Sequence, residues 1–241
     1  MRHTAKALLK KAQLLSFAKE LLHSHRSTLR KMRGVDNQIA SQYLTTAEIA
    51  KLHIGCGNNF MSGWLNSDFH PSRPGVMHLD AAKLFPFDDN IYHHVYSEHM
   101  IEHIPYEEGA YMLRECYRVM KKNSRIRIAT PDLQFLIDLY RNCSSTFEAE
   151  YIEWSTENFI QYAPYPCAGF VVNNFFRDFD HQFIYDEETL RASLSNAGFS
   201  EIKKCGLGKS EDGALQNLEH AGQRPSSFYQ LETMVFEAQK L

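Results

Sequence analysis

The sequence has neither long apolar runs nor closely spaced cysteines. None of its apolar runs approaches the roughly 18 residues of a membrane-spanning helix, and Lys10, Lys11 and Lys19 interrupt any signal-peptide core. The five cysteines form no C-x-x-C pair and stand far apart, at Cys56, Cys116, Cys143, Cys167 and Cys205. This spacing argues against a disulfide framework or a structural zinc site. We therefore expect a cytoplasmic protein.

Basic residues are concentrated at the N-terminus. Residues 1–33 contain nine Lys or Arg and one acid, whereas the remainder holds 17 basic and 28 acidic residues. Apolar residues at helical spacing predict a helix over residues 4–32 with a basic polar face. We assign residues 1–45 to a helical arm that could pack on its own domain, pair in a homodimer or contact an anionic membrane peripherally. No nucleic-acid partner is expected, because aromatic residues do not alternate with the basic ones.

Strand-like and helical patterns alternate from residue 46 to residue 241. The predicted strands are 51–55, 63–69, 76–80, 93–99, 125–131, 201–206 and 231–241, and the helices are 36–44, 108–122, 132–142 and 186–199. Such alternation requires crossover connections and predicts a mostly parallel sheet in a single α/β domain. Asp132 and Asp186 are placed as helix N-caps.

A long aromatic segment separates two of these helices. Residues 143–180 show no clear period and are predicted to be irregular. A connection of this length is usually a lid or a binding insert, although it could also simply cover the core.

Two glycines follow the first predicted strand. Gly55 and Gly57 flank Cys56 in LHIGCGNNF, residues 52–60. Glycine tolerates unusual dihedral angles and leaves no Cβ in the way of a ligand. Phe60 stands where the dinucleotide-binding fingerprint has its third glycine. The loop alone is therefore compatible with a ligand-binding turn or with a plain tight turn.

Polar side chains end the next three strands. They are Asp68 after the second, Asp80 after the third, and Ser97, Glu98 and His99 at the end of the fourth. In open parallel sheets, ligands bind beyond the carboxyl ends of the strands. One acid suits a ribose diol, the next suits an exocyclic amine, and Phe69 could pack on a flat ring. This pattern predicts an adenosine site.

Four segments together resemble the class I S-adenosylmethionine-dependent methyltransferases. They are LHIGCGNNFMSGWLNSDFHP, LDAAKLFPFDDNIYHHVYSEHMIEHI, LRECYRVMKKNSRIRIATPDL and HQFIYDEETLRASLSNAGF. The chain is most similar to the small predicted methyltransferases with an L-x-x-G-C-G…G-W-x-N-x-D pattern, which are associated with bacterial surface-polysaccharide synthesis. The resemblance implies a Rossmann-like, seven-strand, mostly parallel sheet with helices on both faces and S-adenosyl-L-methionine as cofactor.

The resemblance also implies roles for individual residues. The Gly55-Cys56-Gly57 loop would pass the methionine part of the cofactor, and Asp68 would bind the ribose hydroxyls. The remaining expected contacts are Phe69 near the adenine, Asp80 and the Ala81 backbone at the adenine edge, and Ser97, Glu98 and His99 under the sulfonium. The chain departs from the family at His53, where an acid is usual. It also has a short spacing from Gly57 to Asp68, so the first crossover helix should be short or replaced by a loop.

Two histidines are candidates for a general base. Methyl transfer to a hydroxyl needs alignment and a base that titrates near neutral pH, for which histidine is suited. His99 follows the fourth strand and His181 follows the aromatic segment. His103 is interpreted as structural.

Two other classes of function are compatible with parts of the sequence. HMIEH, residues 99–103, matches the H-x-x-E-H zinc-peptidase motif, but Pro105 would stop a helix there and a third ligand is not apparent. We therefore expect no metal ligands. The second class is a non-catalytic scaffold that keeps the fold, which the loss of the acid at His53 favours. The expected activity is methyl transfer to an oxygen or nitrogen of an acceptor, with a sugar of a surface glycan or its precursor as first candidate.

Overall fold

A computed structural model describes residues 29, 30, 32–142, 146–220, 222 and 224–241. The predicted helix over residues 4–32 lies almost wholly outside these residues, as does Cys143. The contacts predicted for this helix, with a second copy or with a membrane, therefore stay predictions. Among the described residues, no helix has the length and apolar character needed to cross a bilayer.

Seven helices and seven strands make up the described chain. The helices are α1 (Val35–Thr46), α2 (Tyr106–Val119), α3 (Leu133–Arg141), α4 (Thr146–Phe159), α5 (Ala168–Arg177), α6 (Glu187–Asn196) and α7 (Ser226–Glu232). The strands are β1 (Lys51–Ile54), β2 (Leu65–Asp68), β3 (Met77–His78), β4 (Tyr92–Glu98), β5 (Met120–Pro131), β6 (Ser200–Cys205) and β7 (Thr233–Lys240). Short 3₁₀ helices occupy Ile101–His103 and Gly213–Leu215.

The strands form one sheet in the order β3-β2-β1-β4-β5-β7-β6. The first five strands along the chain pair in parallel, while β7 is antiparallel to both β5 and β6. This order confirms the predicted Rossmann-like, mostly parallel fold. It also brings the carboxyl ends of β1, β2 and β4 to the same edge, where the predicted site residues meet.

The main core lies against this sheet. The central strands are buried on both faces, as strands of parallel sheets usually are, and Leu52, Val95 and Ile126 are completely buried. Helix α1 packs into the same core through Ala40, and its Asp36 accepts a hydrogen bond from the backbone N–H of His78 in β3 (2.8 Å). The part of the predicted arm from residue 35 onwards therefore packs on the sheet domain.

The prediction that residues 143–180 are irregular is wrong, because α4 and α5 occupy most of them. Residues Tyr151, Ile152, Ser155 and Thr156 of α4 are buried at helical spacing, and they form a second core with α3, α5 and α7. The dense aromatic residues hid this period in the sequence. The insert is therefore a small helical layer with its own core beside the carboxyl edge of the sheet.

Local sequence signals correctly predicted where two of the helices begin. Asp132 accepts a hydrogen bond from the backbone N–H of Gln134, and Asp186 forms a reciprocal capping box with Thr189, so both predicted N-caps are confirmed. The predicted helix 108–122 corresponds to α2 (Tyr106–Val119), and its predicted end is three residues too late because β5 begins at Met120. Asn123 is a single left-handed residue (φ 60°) within that strand.

Candidate active site

A cleft of about 660 Å³ opens at the carboxyl ends of β1 and β2. Six of the predicted cofactor residues line it, namely Gly55, Gly57, Asp68, Phe69, Asp80 and Ala81. The crossover from Gly57 to Asp68 contains no helix, as its short spacing predicted. The loop therefore runs directly along the cleft.

The two glycines meet different constraints. Gly55 has φ +70°, and a Cβ there would overlap Cγ of Met100 and lie 2.7 Å from its Cβ. Gly57 has φ +49°, and a Cβ there would meet no described atom within 4 Å. Position 55 thus requires glycine because the Met100 side chain, which lines the cleft, occupies the space of a Cβ. At Gly57 that space is open to the cleft.

Replacing Gly55 with Ala should therefore cost more than the same change at Gly57. Both variants place a Cβ at positive φ, which costs about 1–2 kcal/mol. Gly55→Ala also displaces Met100, which adds about 1 kcal/mol and changes the cleft wall. Urea unfolding of both variants, with calorimetric titration of S-adenosylhomocysteine, checks this expectation. Equal effects in the two variants would show that the Met100 contact is unimportant.

Asp68 anchors the glycine loop. Its Oδ2 accepts the backbone N–H of Gly57 (2.8 Å) and its Oδ1 accepts that of His70 (2.7 Å). An ionised carboxylate offers about four acceptor positions. Each oxygen of Asp68 therefore retains a position for a ligand hydroxyl, which fits a ribose diol.

Phe69 and Asp80 lie farther along the same cleft. The Phe69 side chain is 53 % exposed although it lines a cavity, so its ring surface is available to a flat ligand. Asp80 accepts the backbone N–H of Ala82 (3.1 Å) and pairs with Nζ of Lys83 (2.5 Å). The order of acid, aromatic ring and acid along the cleft fits an adenosine.

A second cleft, of about 560 Å³, shares the glycine loop with the first. Its walls include Cys56, Asn59, Glu98, His99, Trp154, Phe159, His220, Arg224 and Tyr229. Burial raises the pKa of the Cys56 thiol to about 11, so this cysteine is a neutral wall residue at neutral pH. Gly55, Gly57 and His99 line both clefts, and the two clefts therefore meet at these residues.

Glu98 organises the second cleft. Its Oε1 accepts hydrogen bonds from the hydroxyl of Tyr229 and from the backbone N–H of His220, and its Oε2 accepts one from Nδ2 of Asn59 (3.3 Å). Three separate segments are thus held on one carboxylate. Trp154, Arg224 and Tyr229 were not predicted as site residues, because only the tertiary fold brings them to the loop. Asn59 was not predicted either, although it lies two residues after Gly57 in the loop itself.

Ser97 lies elsewhere. It is buried, and neither cleft includes it among the described residues that form the walls. Successive side chains of a strand point to opposite faces, so Ser97 and Glu98 do not share a side.

His99 lies at the junction of the clefts. It follows β4 with φ 44°, a conformation that is costly for a residue other than glycine and is often found at functional sites. Its Nε2 lies 3.1 Å from Oγ1 of Thr233, and its Nδ1 lies 3.3 Å from Oε1 of Glu102. The ring is therefore held between a hydroxyl and a carboxylate.

His181 lies outside both clefts. It lines a smaller cavity of about 140 Å³, together with His99, Glu102 and His103. Burial lowers the pKa of His181 below its usual value. Burial alone would raise the pKa of Glu102, but the neighbouring His99 and His103 bring it below the usual range.

HMIEH does not form the α-helix that the peptidase motif requires, since Ile101–His103 is a 3₁₀ helix.

His53 stands under the glycine loop and is not among the described residues that line either cleft. Its Nδ1 lies 3.2 Å from Oδ1 of Asn66, which also accepts the backbone N–H of Met61 (2.9 Å). The Asn66 amide donates in turn to the carbonyl of Met61 (2.8 Å). His53 therefore supports the loop from below at the position where the family usually has an acid.

Residues 65–128, about a quarter of the chain, match a methyltransferase domain family. No curated protein matches the sequence.

Three of the similar solved structures are methyltransferases. An S-adenosylmethionine-dependent methyltransferase from Archaeoglobus fulgidus is 18% identical, with 92% of this chain and 94% of that chain covered and a TM-score of 0.48. One from Thermotoga maritima is 15% identical, with coverages of 92% and 99% and a TM-score of 0.45. Phosphoethanolamine N-methyltransferase 2 from Haemonchus contortus is 14% identical, with coverages of 85% and 52% and a TM-score of 0.43.

The matched segment runs from β2 into β5 and contains Asp68, Asp80 and His99. The strand order of the sheet is that expected from the sequence resemblance, and the residues of the larger cleft fit an adenosine. Together these observations support a methyltransferase domain over residues 65–128, with S-adenosylmethionine as its cofactor.

Proposed function

We propose that the protein transfers a methyl group from S-adenosylmethionine to an oxygen or nitrogen atom of an acceptor that enters the second cleft. The observation that carries the proposal is the meeting of two clefts at Gly55, Gly57 and His99. One cleft fits the adenosine, and the other is open to an acceptor. S-adenosylmethionine supplies an electrophilic methyl group on its sulfonium when it is bound.

The chain's own contribution is to position two molecules. In-line displacement at a methyl group depends mainly on proximity and alignment, which can supply about 7–11 kcal/mol of the barrier. Asp68 and the glycine loop would fix the cofactor side. Glu98 holds Tyr229, His220 and Asn59 in place on the acceptor side.

His99 is the residue that we propose as general base. It lines both clefts, and its Nδ1 faces the Glu102 carboxylate at 3.3 Å, which favours a proton on Nδ1 and leaves Nε2 as the accepting nitrogen. The Thr233 hydroxyl now lies near Nε2 (3.1 Å). An acceptor hydroxyl would take its place, and His99 would receive the acceptor's proton on Nε2. His181 faces the smaller cavity and is not assigned this role.

A sugar is the acceptor class that we propose. Trp154, Phe159 and Tyr229 offer aromatic surface for the apolar face of a sugar ring, while Asn59 and Arg224 offer hydrogen-bond donors. This composition supports a hydroxyl of a surface glycan, or of its lipid- or nucleotide-linked precursor, as the methylated group. Incubation with S-adenosylmethionine and a panel of nucleotide-linked sugars, followed by mass spectrometry, tests the acceptor.

Calorimetric titration with S-adenosylhomocysteine, with NAD as the control ligand, tests the cofactor site first. Selective one-to-one binding is expected. Absence of binding by a folded protein would refute the proposed transfer and leave the scaffold alternative.

Replacing Asp68 with Ala should weaken S-adenosylhomocysteine binding by about 1–3 kcal/mol, because ligand hydroxyl groups that become buried on binding would lose their acceptor. Part of the loss comes from release of the Gly57 backbone. Calorimetry of the variant measures the effect, and Asp88→Ala, at an exposed acid on the same domain, is the control. Unchanged affinity in folded Asp68→Ala would mean that the ribose lies elsewhere.

A further inference from the structure

A small cavity beside the second cleft, in which we place the acceptor, brings a carboxylate and two imidazoles together. One ligand atom each from Glu102, His103 and His181 lies within 4.8 Å of the others, and all three residues line the cavity of about 140 Å³. We propose that these three side chains bind a divalent transition-metal ion.

In two of the three side chains, a buried polar atom lacks a well-aligned hydrogen-bond partner among the described residues. Glu102 is 0 % exposed, and its Oε2 accepts a hydrogen bond from Oγ1 of Thr130 (3.0 Å). Within the described part of the chain, Oε1 of Glu102 and Nδ1 of His181 have no hydrogen-bond partner of good geometry, although Nδ1 of His99 lies 3.3 Å from Oε1. Leaving a buried carboxylate incompletely paired is costly, and a bound cation would remove that cost.

The backbone already holds the ligands near one another. Glu102 and His103 lie on the 3₁₀ helix after β4, while His181 lies between α5 and α6. The carbonyl of Glu102 accepts hydrogen bonds from the backbone N–H groups of Gln182 (2.7 Å) and Phe183 (3.2 Å). The His103 and His181 rings are 4.8 Å apart between centroids. Metal binding therefore requires only small movements of side chains.

The surrounding residues resemble the outer contacts of metal sites. Ligands of a metal site are usually oriented by further hydrogen bonds, and Thr130 and His99 both flank the Glu102 carboxylate. In this arrangement Glu102 is a ligand and His99 a supporting residue. HMIEH therefore does not serve as a peptidase motif, in which both of its histidines would be ligands and its glutamate the base.

The ligand set indicates the class of ion. Imidazole nitrogens suit zinc, copper, iron and nickel, whereas magnesium and calcium prefer oxygen ligands. Metal–ligand bonds of about 2.0–2.2 Å place neighbouring ligand atoms about 3–4 Å apart, which is slightly closer than in this cluster. The ion would join the helical insert to the carboxyl end of β4. Its binding requires neither the cofactor nor methyl transfer.

Metal titration of the full-length protein tests the site. The protein is treated with a chelator, dialysed and titrated with Co²⁺, whose visible absorption reports its ligands, and then with Zn²⁺ in competition. We expect one equivalent to bind. His103→Ala, His181→Ala and Glu102→Gln should each weaken binding by at least about tenfold. His93→Gln, at the opposite end of β4, should bind as the unaltered protein does.

The variants keep the test decisive. His103 is exposed, so His103→Ala is expected to fold even if a buried replacement does not, and circular dichroism checks this. Absence of Co²⁺ and Zn²⁺ binding would overturn the proposal. Binding with undiminished affinity in both histidine variants would also overturn it, because the ion would then be held elsewhere in the chain.

Discussion

Replacing Arg127 with Met is expected to lower the free energy of unfolding by about 3–5 kcal/mol, because it leaves buried carboxylates without their counter-charge. Arg127 lies in β5 and is 0 % exposed. Its Nε donates to Glu219 (2.5 Å) and its Nη1 donates to Glu237 of β7. Both acids are almost completely buried. Urea unfolding at neutral pH measures the loss.

Arg125→Met provides the matched control. Arg125 lies two residues earlier on the same strand and so on the same face, but it is partly exposed and lies 3.6 Å from Glu201. Loss of such a surface pair costs about 0–1 kcal/mol. If Arg127→Met is no more destabilising than Arg125→Met, the buried network does not stabilise the fold to the expected extent.

A triple variant separates charge from packing. Arg127→Met combined with Glu219→Gln and Glu237→Gln removes the unpaired charges, so part of the stability should return. No recovery would mean that the loss comes from packing alone.

Arg127 also holds a chain segment that leads into the wall of the second cleft. Its Nη1 and Nη2 donate to the carbonyls of Lys209 (2.9 Å) and Gly206 (3.2 Å), and Glu219 accepts the backbone N–H of Gly208 (2.7 Å). The segment after β6 is thereby tied to the centre of the sheet. His220 follows this segment directly and donates its backbone N–H to Glu98 in the cleft. The conformation of this cleft wall therefore depends on a residue of β5 that does not line it.

The order and type of the sheet elements could be predicted because their signals are local. Asp186 and Thr189 form a capping box within one turn, and the strands are short apolar runs that end in polar residues. Most of the six predicted residues that line the larger cleft follow from the same reasoning, since parallel strands place their carboxyl ends at one edge, while Ala81 was expected from the family resemblance. The helices of the insert could not be predicted, because aromatic residues on several faces obscure a period that tertiary burial reveals.

The acceptor side could not be predicted in the same way. Its contacts join residues that are far apart in the sequence, such as Glu98 with Tyr229 and His99 with Thr233, and no local spacing records them. The surroundings of Glu102 could not be predicted from the sequence either. Its burial and its proximity to His181 depend on how the insert returns to the sheet.

Lowering the pH should destabilise the folded protein, because the buried His53 side chain resists protonation. The side chain is 1 % exposed, and burial lowers its pKa from 6.5 to about 4. Between these values the unfolded chain binds a proton at His53 that the folded chain does not bind. Stability therefore rises with pH across this window and falls as the pH drops from 6.5 towards 4. The loss attributable to His53 approaches about 3 kcal/mol, at 1.36 kcal/mol for each unit of pKa.

The His53→Gln variant isolates this contribution. Glutamine does not titrate, and its amide could still donate to Oδ1 of Asn66, which holds the loop through Met61. Urea unfolding of both proteins from pH 7.5 to pH 4.5 gives two curves whose other titrating groups cancel in the difference. We expect the unaltered protein to lose stability relative to the variant as the pH falls. Curves that stay parallel would show that His53 takes up its proton equally well in the folded state. The hydrogen bond to Asn66 would then not require a neutral imidazole, and the glycine loop would keep its support in acid.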